Sequence, residues 1–351
     1  MMGEDADLEP ATRGTDELDI LDARGDLYLK VGEDVEKEPK TYLVCSKALA
    51  RASPVFEKML YGSFTESRPT DQHWTVELPE DHQEPTELLL HIAHGRFDEV
   101  PEQLEFLRLY YFLAVVDKYD AAGATRPWAR GWLNGVRADT QNPHLLGIAY
   151  ELGATPTFDA MARKIVAACL VDDDGDLVFG YACKNKKAYS YKLQNVKYLV
   201  PPGLLGDISS KRTTLLTTIL MPYTSLYAKL KRVNRCSSTQ QDLTAGRQCD
   251  SILFGSLIRS FAAQQIDLTT PEPLVAYRGS AAALQAVLPR LELYTAHSNF
   301  PVHPSRVPAS AAGDLQDGLK KSQVLMAQVS FAKSKYGDHL RNQASKTGLA
   351  K

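Results

Sequence analysis

From Glu102 to Tyr119 the chain carries Leu104, Phe106, Leu107, Leu109, Tyr110, Tyr111, Phe112, Leu113, Val115 and Val116. This segment is apolar nearly all round at helical period, so it is expected to be a helix buried on most sides. A helix of that kind needs a shell of other elements, and 351 residues allow two or three domains. No stretch approaches the roughly 18 consecutive apolar residues of a membrane span. The start is acidic and polar, without an apolar run behind a basic one, so no signal peptide is expected. The five cysteines (45, 169, 183, 236 and 249) are odd in number and scattered. That pattern fits reduced thiols in the cytoplasm or nucleus rather than a secreted disulfide framework.

The shell is legible upstream and downstream of that helix. Asp26–Gly32 alternates Leu27, Leu29 and Val31 with Tyr28 and Lys30, the period of a half-buried strand. Glu33–Lys40 reads as a hairpin connection and Thr41–Val44 as the second strand. Two short helices follow; Ser53-Pro54 caps the second, and Phe56, Met59 and Leu60 share one face before Gly62. A third strand is expected over His73–Leu78. Pro85 opens a helix with Leu88, Leu89 and Ile92 inward, and after Pro127 another helix places Trp128 and Trp132 four apart.

The motifs along this stretch are Asp26, Tyr42, Cys45-Ser46, Leu49, Ser53-Pro-Val-Phe56 and Gly62-Ser-Phe-Thr-Glu-Ser67. His94-Gly-Arg, Val100-Pro101, Val116-Asp-Lys-Tyr119 and Trp128-Ala-x-x-Trp132 follow in order. Over about residues 24–135 the chain resembles the BTB/POZ domain, in the variant common in filamentous fungi. The resemblance implies a short three-stranded sheet packed with helices, a non-enzymatic protein-interaction role, homodimers and, in some members, cullin-type ubiquitin ligases. It makes Asp26, Leu27, Leu29, Cys45, Ser46, Leu49 and Val55 the candidate interaction residues. Cys45 and Ser46 stand where the family has a His and a basic residue, so Asp26 is expected to lack the basic partner of the family's charged pocket. Residues 196–300, with Pro201-Pro-Gly-Leu-Leu and Cys249-Asp-Ser-Ile-Leu-Phe, also resemble the C-terminal part of such fungal proteins.

The expected class is α+β: an acidic disordered tail (1–22), the BTB/POZ domain (23–135), a mostly helical domain (136–300), a linker (301–313) and a helical tail (314–351). In the third part, Leu145, Leu146, Ala149, Leu152, Phe158, Met161, Ile165 and Ala168 recur at helical spacing. Residues 211–233 and 249–265 read as two more helices, the first broken or kinked by Pro222. The tail has an amphipathic candidate over 314–339 with Leu315, Leu319, Met326 and Val329 on one stripe, suited equally to docking on its own body or to a partner helix.

Charge is segregated: residues 1–22 carry a net of −7 and residues 180–235 a net of +10. Lys184, Lys186, Lys187 and Lys192 interleave with Tyr189 and Tyr191. Such a run fits phosphate contact with base stacking, a nuclear-import signal or, as the leading reading, a plain solvated surface. Asp172-Asp-Asp-Gly-Asp176 lacks the spacing of a calcium loop and reads as a turn before a strand at Leu177–Ala182. His91 and His94, three apart on a helix, and the pair Cys236 and Cys249 are weak metal candidates. No phosphate-binding loop, nucleophile elbow or metalloprotease motif is present, and no catalytic residue, metal or cofactor is expected. The expected function is an adaptor or scaffold with protein partners, self-association through residues 23–135 and no membrane association. The alternative is a nucleic-acid-associated regulator using residues 180–235.

Overall fold

The computed structural model describes residues 18–69, 73–182, 188–196, 199, 201–232, 243–296, 298–302, 320, 321, 323, 324, 327–331 and 335–350. The chain is mixed α+β and divides into two compact units, Met1–Val136 with Gln343–Lys351, and Arg137–Asn342.

The first unit is built on β1 (Leu18–Ile20), β2 (Leu27–Val31), β3 (Lys40–Val44), α1 (Ser46–Ala52), α2 (Pro54–Tyr61), β4 (Thr75–Leu78), α3 (Gln83–Ala93), α4 (Phe106–Lys118) and α5 (Ala129–Val136). Its sheet has four strands in the order β1-β3-β2-β4, not the expected three. Leu27, Leu29 and Val31 alternate inward and are fully buried, as the period of two requires. The extra strand β1 lies within what composition assigned to a disordered acidic tail. Leu18-Asp-Ile20 pairs in parallel with Thr41–Leu43, and Lys40 Nζ sits 3.2 Å from both Asp19 and Glu87. A short acidic strand is stable here because β3 offers an unpaired edge and Lys40 offsets its charge. Neither is visible within residues 18–20 themselves.

Helix α2 is fastened at its start, where the Ser53 hydroxyl accepts the Phe56 N–H at 3.0 Å and Pro54 occupies the first turn. Helix α4 buries Leu109, Tyr110, Phe112, Leu113, Val115 and Val116. It is not buried all round, however: Leu107 and Tyr111, four residues apart, are 47% and 45% exposed. A helix of 13 residues with neighbours on part of its circumference leaves one stripe open. The apolar residues on that stripe misled the periodicity argument. At the end of the chain, α11 (Gly337–Thr347) delivers residues 343–350 to this unit. Lys346 Nζ contacts Asp120 at 2.5 Å, Arg126 donates to the Ser345 carbonyl, and Arg130 donates to the carbonyl of Gly348, which stops the helix at φ 74°.

The second unit contains α6 (Leu145–Glu151), α7 (Thr155–Ala168), β5 (Leu170–Val171), β6 (Leu177–Ala182), β7 (Ala188–Lys192), α8 (Leu204–Arg232), α9 (Leu243–Ala262), α10 (Ala281–Val287), β8 (Leu293–Thr295) and β9 (Ser298–Val302). It is less purely helical than expected, with a three-stranded antiparallel sheet β5-β6-β7 and a two-stranded one, β8-β9. The apolar spacing of residues 145–165 is used as read: Leu145, Leu146, Ala149, Leu152, Phe158, Met161 and Ile165 are buried. Helix α8 begins directly after Pro201-Pro-Gly203, and it continues through Pro222 rather than ending there. The expected linker 301–313 lies outside the described residues from 303 onward, as do Leu315, Leu319 and Met326 of the amphipathic candidate; Val329 is buried. Among the described residues, no helix is long and apolar enough to cross a membrane.

Candidate protein-interaction surface

Asp26 precedes β2 and faces the first turn of α1. Its carboxylate accepts the Ser46 N–H at 2.9 Å and the Ser46 hydroxyl at 2.8 Å. Because Ser46 Oγ donates to Asp26, it must accept from Tyr61 Oη at 2.6 Å, giving a relay from Tyr61 through Ser46 to Asp26. Asp26 does not lack a basic neighbour, contrary to the expectation: Arg68 Nη1 lies 3.9 Å away, supplied by the loop after α2. Partial burial pushes the Asp26 carboxyl up, but the Ser46 bonds and Arg68 together outweigh it and hold the group below the usual range. Arg68 also lies over the Trp74 ring, and Tyr61 meets Trp74 edge-on. The result is a polar node with an aromatic rim, tied at one corner to an exposed Tyr61.

Cys45, beside this node, is tied to α3. The Cys45 N–H donates to His94 Nε2 at 2.9 Å, and His94 Nδ1 faces the Leu90 carbonyl at 2.9 Å. A carbonyl only accepts, so Nδ1 carries the proton and the ring must be neutral. Both nitrogens are therefore engaged, while His91 Nε2 is 3.9 Å from Glu87. Burial lowers the His94 pKa from the usual 6.5, with the Leu90 carbonyl pulling the other way. A base with a lowered folded pKa stabilises the fold fully above its unfolded value. That stability declines as pH falls below about 6.5. The urea midpoint of the first unit's unfolding is expected to be lower at pH 5.5 than at pH 7.5, and His94→Gln should flatten that dependence. An unchanged dependence in the variant would assign the effect to another group.

The remaining interaction candidates divide by burial. Leu27, Leu29 and Leu49 have no exposed surface and hold the core, whereas Val55 is 36% exposed on α2. Alternation alone tells which residues share a face, not whether that face meets helices or water. Residues that the sequence reading did not select are more exposed: Leu18 and Ile20 on β1, and Phe64 after α2. β1 is also an edge of the sheet among the described residues, so its outer backbone groups face no strand there. The signal for these positions was present in the Leu-Asp-Ile alternation, but it sat inside an acidic run.

In the basic region, Lys184, Lys186 and Lys187 lie outside the described residues. Lys192 is not displayed for phosphate. Its Nζ stands 2.8 Å from Asp172, 2.8 Å from Asp174 and 3.3 Å from Asp176, whose carboxylates lie within 4.8 Å of one another. Asp172 also accepts the N–H groups of Asp174 and Asp176, closing the turn that leads into β6. Hydrogen bonding to Lys192 holds the Asp172 carboxyl low, so the lysine acts as the cation of this cluster. Cys45 and Cys169 are free thiols, the second buried; Cys249 is buried too, and Cys183 and Cys236 lie outside the described residues. No family model, curated protein or solved structure matches the chain.

Proposed function

We propose that the chain is a non-enzymatic adaptor of the cytoplasm or nucleus, acting through a BTB/POZ-type interaction module in its first unit. The observation that carries this reading is where apolar surface is left open. Of the fourteen large hydrophobic side chains exposed among the described residues, nine belong to residues 18–136: Leu18, Ile20, Val35, Val55, Tyr61, Phe64, Phe97, Leu107 and Tyr111. Among them, Leu18 and Ile20 stand on β1, a sheet edge among the described residues, and an edge strand offers a partner both backbone groups and apolar side chains. The succession of hairpin, two short helices, strand and three further helices in residues 27–136 supports the family assignment made from its motifs.

Self-association is the first partner class. A two-fold interface sets each patch against its own copy, which favours uncharged contacts. The edge strand β1 suits this, since Leu18 and Ile20 flank an Asp19 already paired with Lys40. The 351-residue chain, which retains the residues 343–350 that belong to the first unit, is expected to sediment as a dimer at about ten micromolar in both low and high salt. The double variant Leu18→Lys with Ile20→Lys should sediment as a monomer. A monomeric parent at tens of micromolar would remove self-association and leave one partner per site. The second partner class is a cullin-type ubiquitin ligase, tested by affinity purification of the tagged chain and mass spectrometry for cullin subunits.

A further inference from the structure

In the second unit, α8 and the segment 268–275 enclose an open groove of about 730 Å³. Along α8 its wall runs from Arg212 to Tyr227, about 22 Å at 1.5 Å per residue. Leu216, Leu220 and Met221 line one side, and Leu274 and Val275 the other. Leu216 and Leu220 are core residues that form its floor, while Met221 and Val275 at the rim remain 49% and 68% exposed.

One end of the groove holds a charge that no carboxylate among the described residues neutralises. Arg212 is only 6% exposed. Its Nε donates to the Cys169 carbonyl at 3.3 Å and its Nη2 to the Gly279 carbonyl at 2.5 Å. A guanidinium has five N–H donors, so three have no acceptor among the described residues, and no carboxylate there pairs with it. The groups acting on its charge are Cys169, Tyr277 and Arg278. Burial pushes the Cys169 thiol up to about 11 and raises the Tyr277 phenol, so both are neutral at pH 7. Arg278 has the same sign as Arg212. The C-terminus of α7, capped at Cys169, supplies only about half a negative charge. Glu272 lines the groove too, but it is exposed and is not among the groups acting on Arg212.

A buried cation with spare donors calls for an anion, and a carboxylate matches the guanidinium fork in two parallel hydrogen bonds. The long apolar wall beyond it calls for an unbranched tail, since small-molecule sites combine an apolar lining with a few polar groups that fix the head. We propose that this groove binds a single-chain fatty acid, its carboxylate on Arg212 and its tail along Leu216, Leu220 and Met221. The reading is independent of the adaptor role.

The test is calorimetric titration of the 351-residue chain with decanoate, and in parallel with decanol, which keeps the tail and lacks the charge. Decanoate is expected to bind at least tenfold more tightly than decanol. Met221→Trp, which fills the groove from an exposed position, should abolish binding of both without lowering the melting temperature. Arg212→Met should erase the preference for the acid. If Arg212→Met fails to fold, the comparison of acid and alcohol on the parent protein still decides the role of the head. Equal affinity for decanoate and decanol would overturn the carboxylate site. Absence of decanoate binding, or binding untouched in Met221→Trp, would overturn the groove as its location.

Discussion

Replacing Phe56 by Ala is expected to destabilise the first unit by about 3–5 kcal/mol, the cost of emptying a large buried aromatic site. Phe56 is 1% exposed, and its ring stacks on Tyr119 at 4.2 Å with the planes 6° apart. Tyr119 is itself held by Asp81, which accepts its hydroxyl, and its carbonyl accepts the Ser53 hydroxyl. The cavity therefore opens between elements pinned from both sides, which limits collapse into it. Leu107→Ala, by contrast, should cost under about 1 kcal/mol, because that side chain keeps nearly half its surface in water. Urea denaturation of the two variants followed by tryptophan fluorescence checks the contrast. A Phe56→Ala midpoint equal to the parent's would mean that α2 does not sit on the core as described.

The second large effect is expected at Trp132. Its ring has no exposed surface, meets Phe112 edge-on at 5.5 Å and stacks on Trp128 at 5.9 Å. Its indole N–H donates to the Pro101 carbonyl at 2.9 Å, joining α5 to the segment that enters α4. Trp132→Ala should cost about 3–5 kcal/mol. Trp132→Phe isolates the polar part: it keeps most of the ring but leaves the Pro101 carbonyl without its donor, at about 1–3 kcal/mol if water does not reach it. Near-ultraviolet circular dichroism should lose the Trp128–Trp132 signal in both variants, while only the alanine variant shows a large drop in melting temperature. Two variants with the same small loss would place Trp132 at the periphery instead.

The elements of residues 27–136 were legible because each carried a local signal. Alternation named Leu27, Leu29 and Val31 as one face, and Ser53-Pro54 named the start of a helix to the residue. The candidate interaction surface was less legible, since period and composition cannot tell an inward apolar face from an outward one. Leu27, Leu29 and Leu49 went to the core, while Leu18, Ile20 and Phe64 were left at the surface.

By itself, then, the sequence determined the local conformations of the first unit, the turn at Asp172–Asp176 and the helical spacing of residues 145–165. These depend on backbone propensity and on neighbours a few residues away. Only the tertiary structure decided that Leu18-Asp-Ile20 joins the sheet as β1, because its partner strand and its neutralising Lys40 lie far downstream, at residues 40–43. It also decided that Lys192 serves three aspartates, and that Arg68 stands near Asp26 where the motif had pointed to positions 45 and 46. Charge pairing is a property of distance in space, and distance in space between remote residues is what a one-dimensional reading lacks. The same reason hid the guanidinium of Arg212, which meets no carboxylate among the described residues: that follows from neighbours remote in sequence.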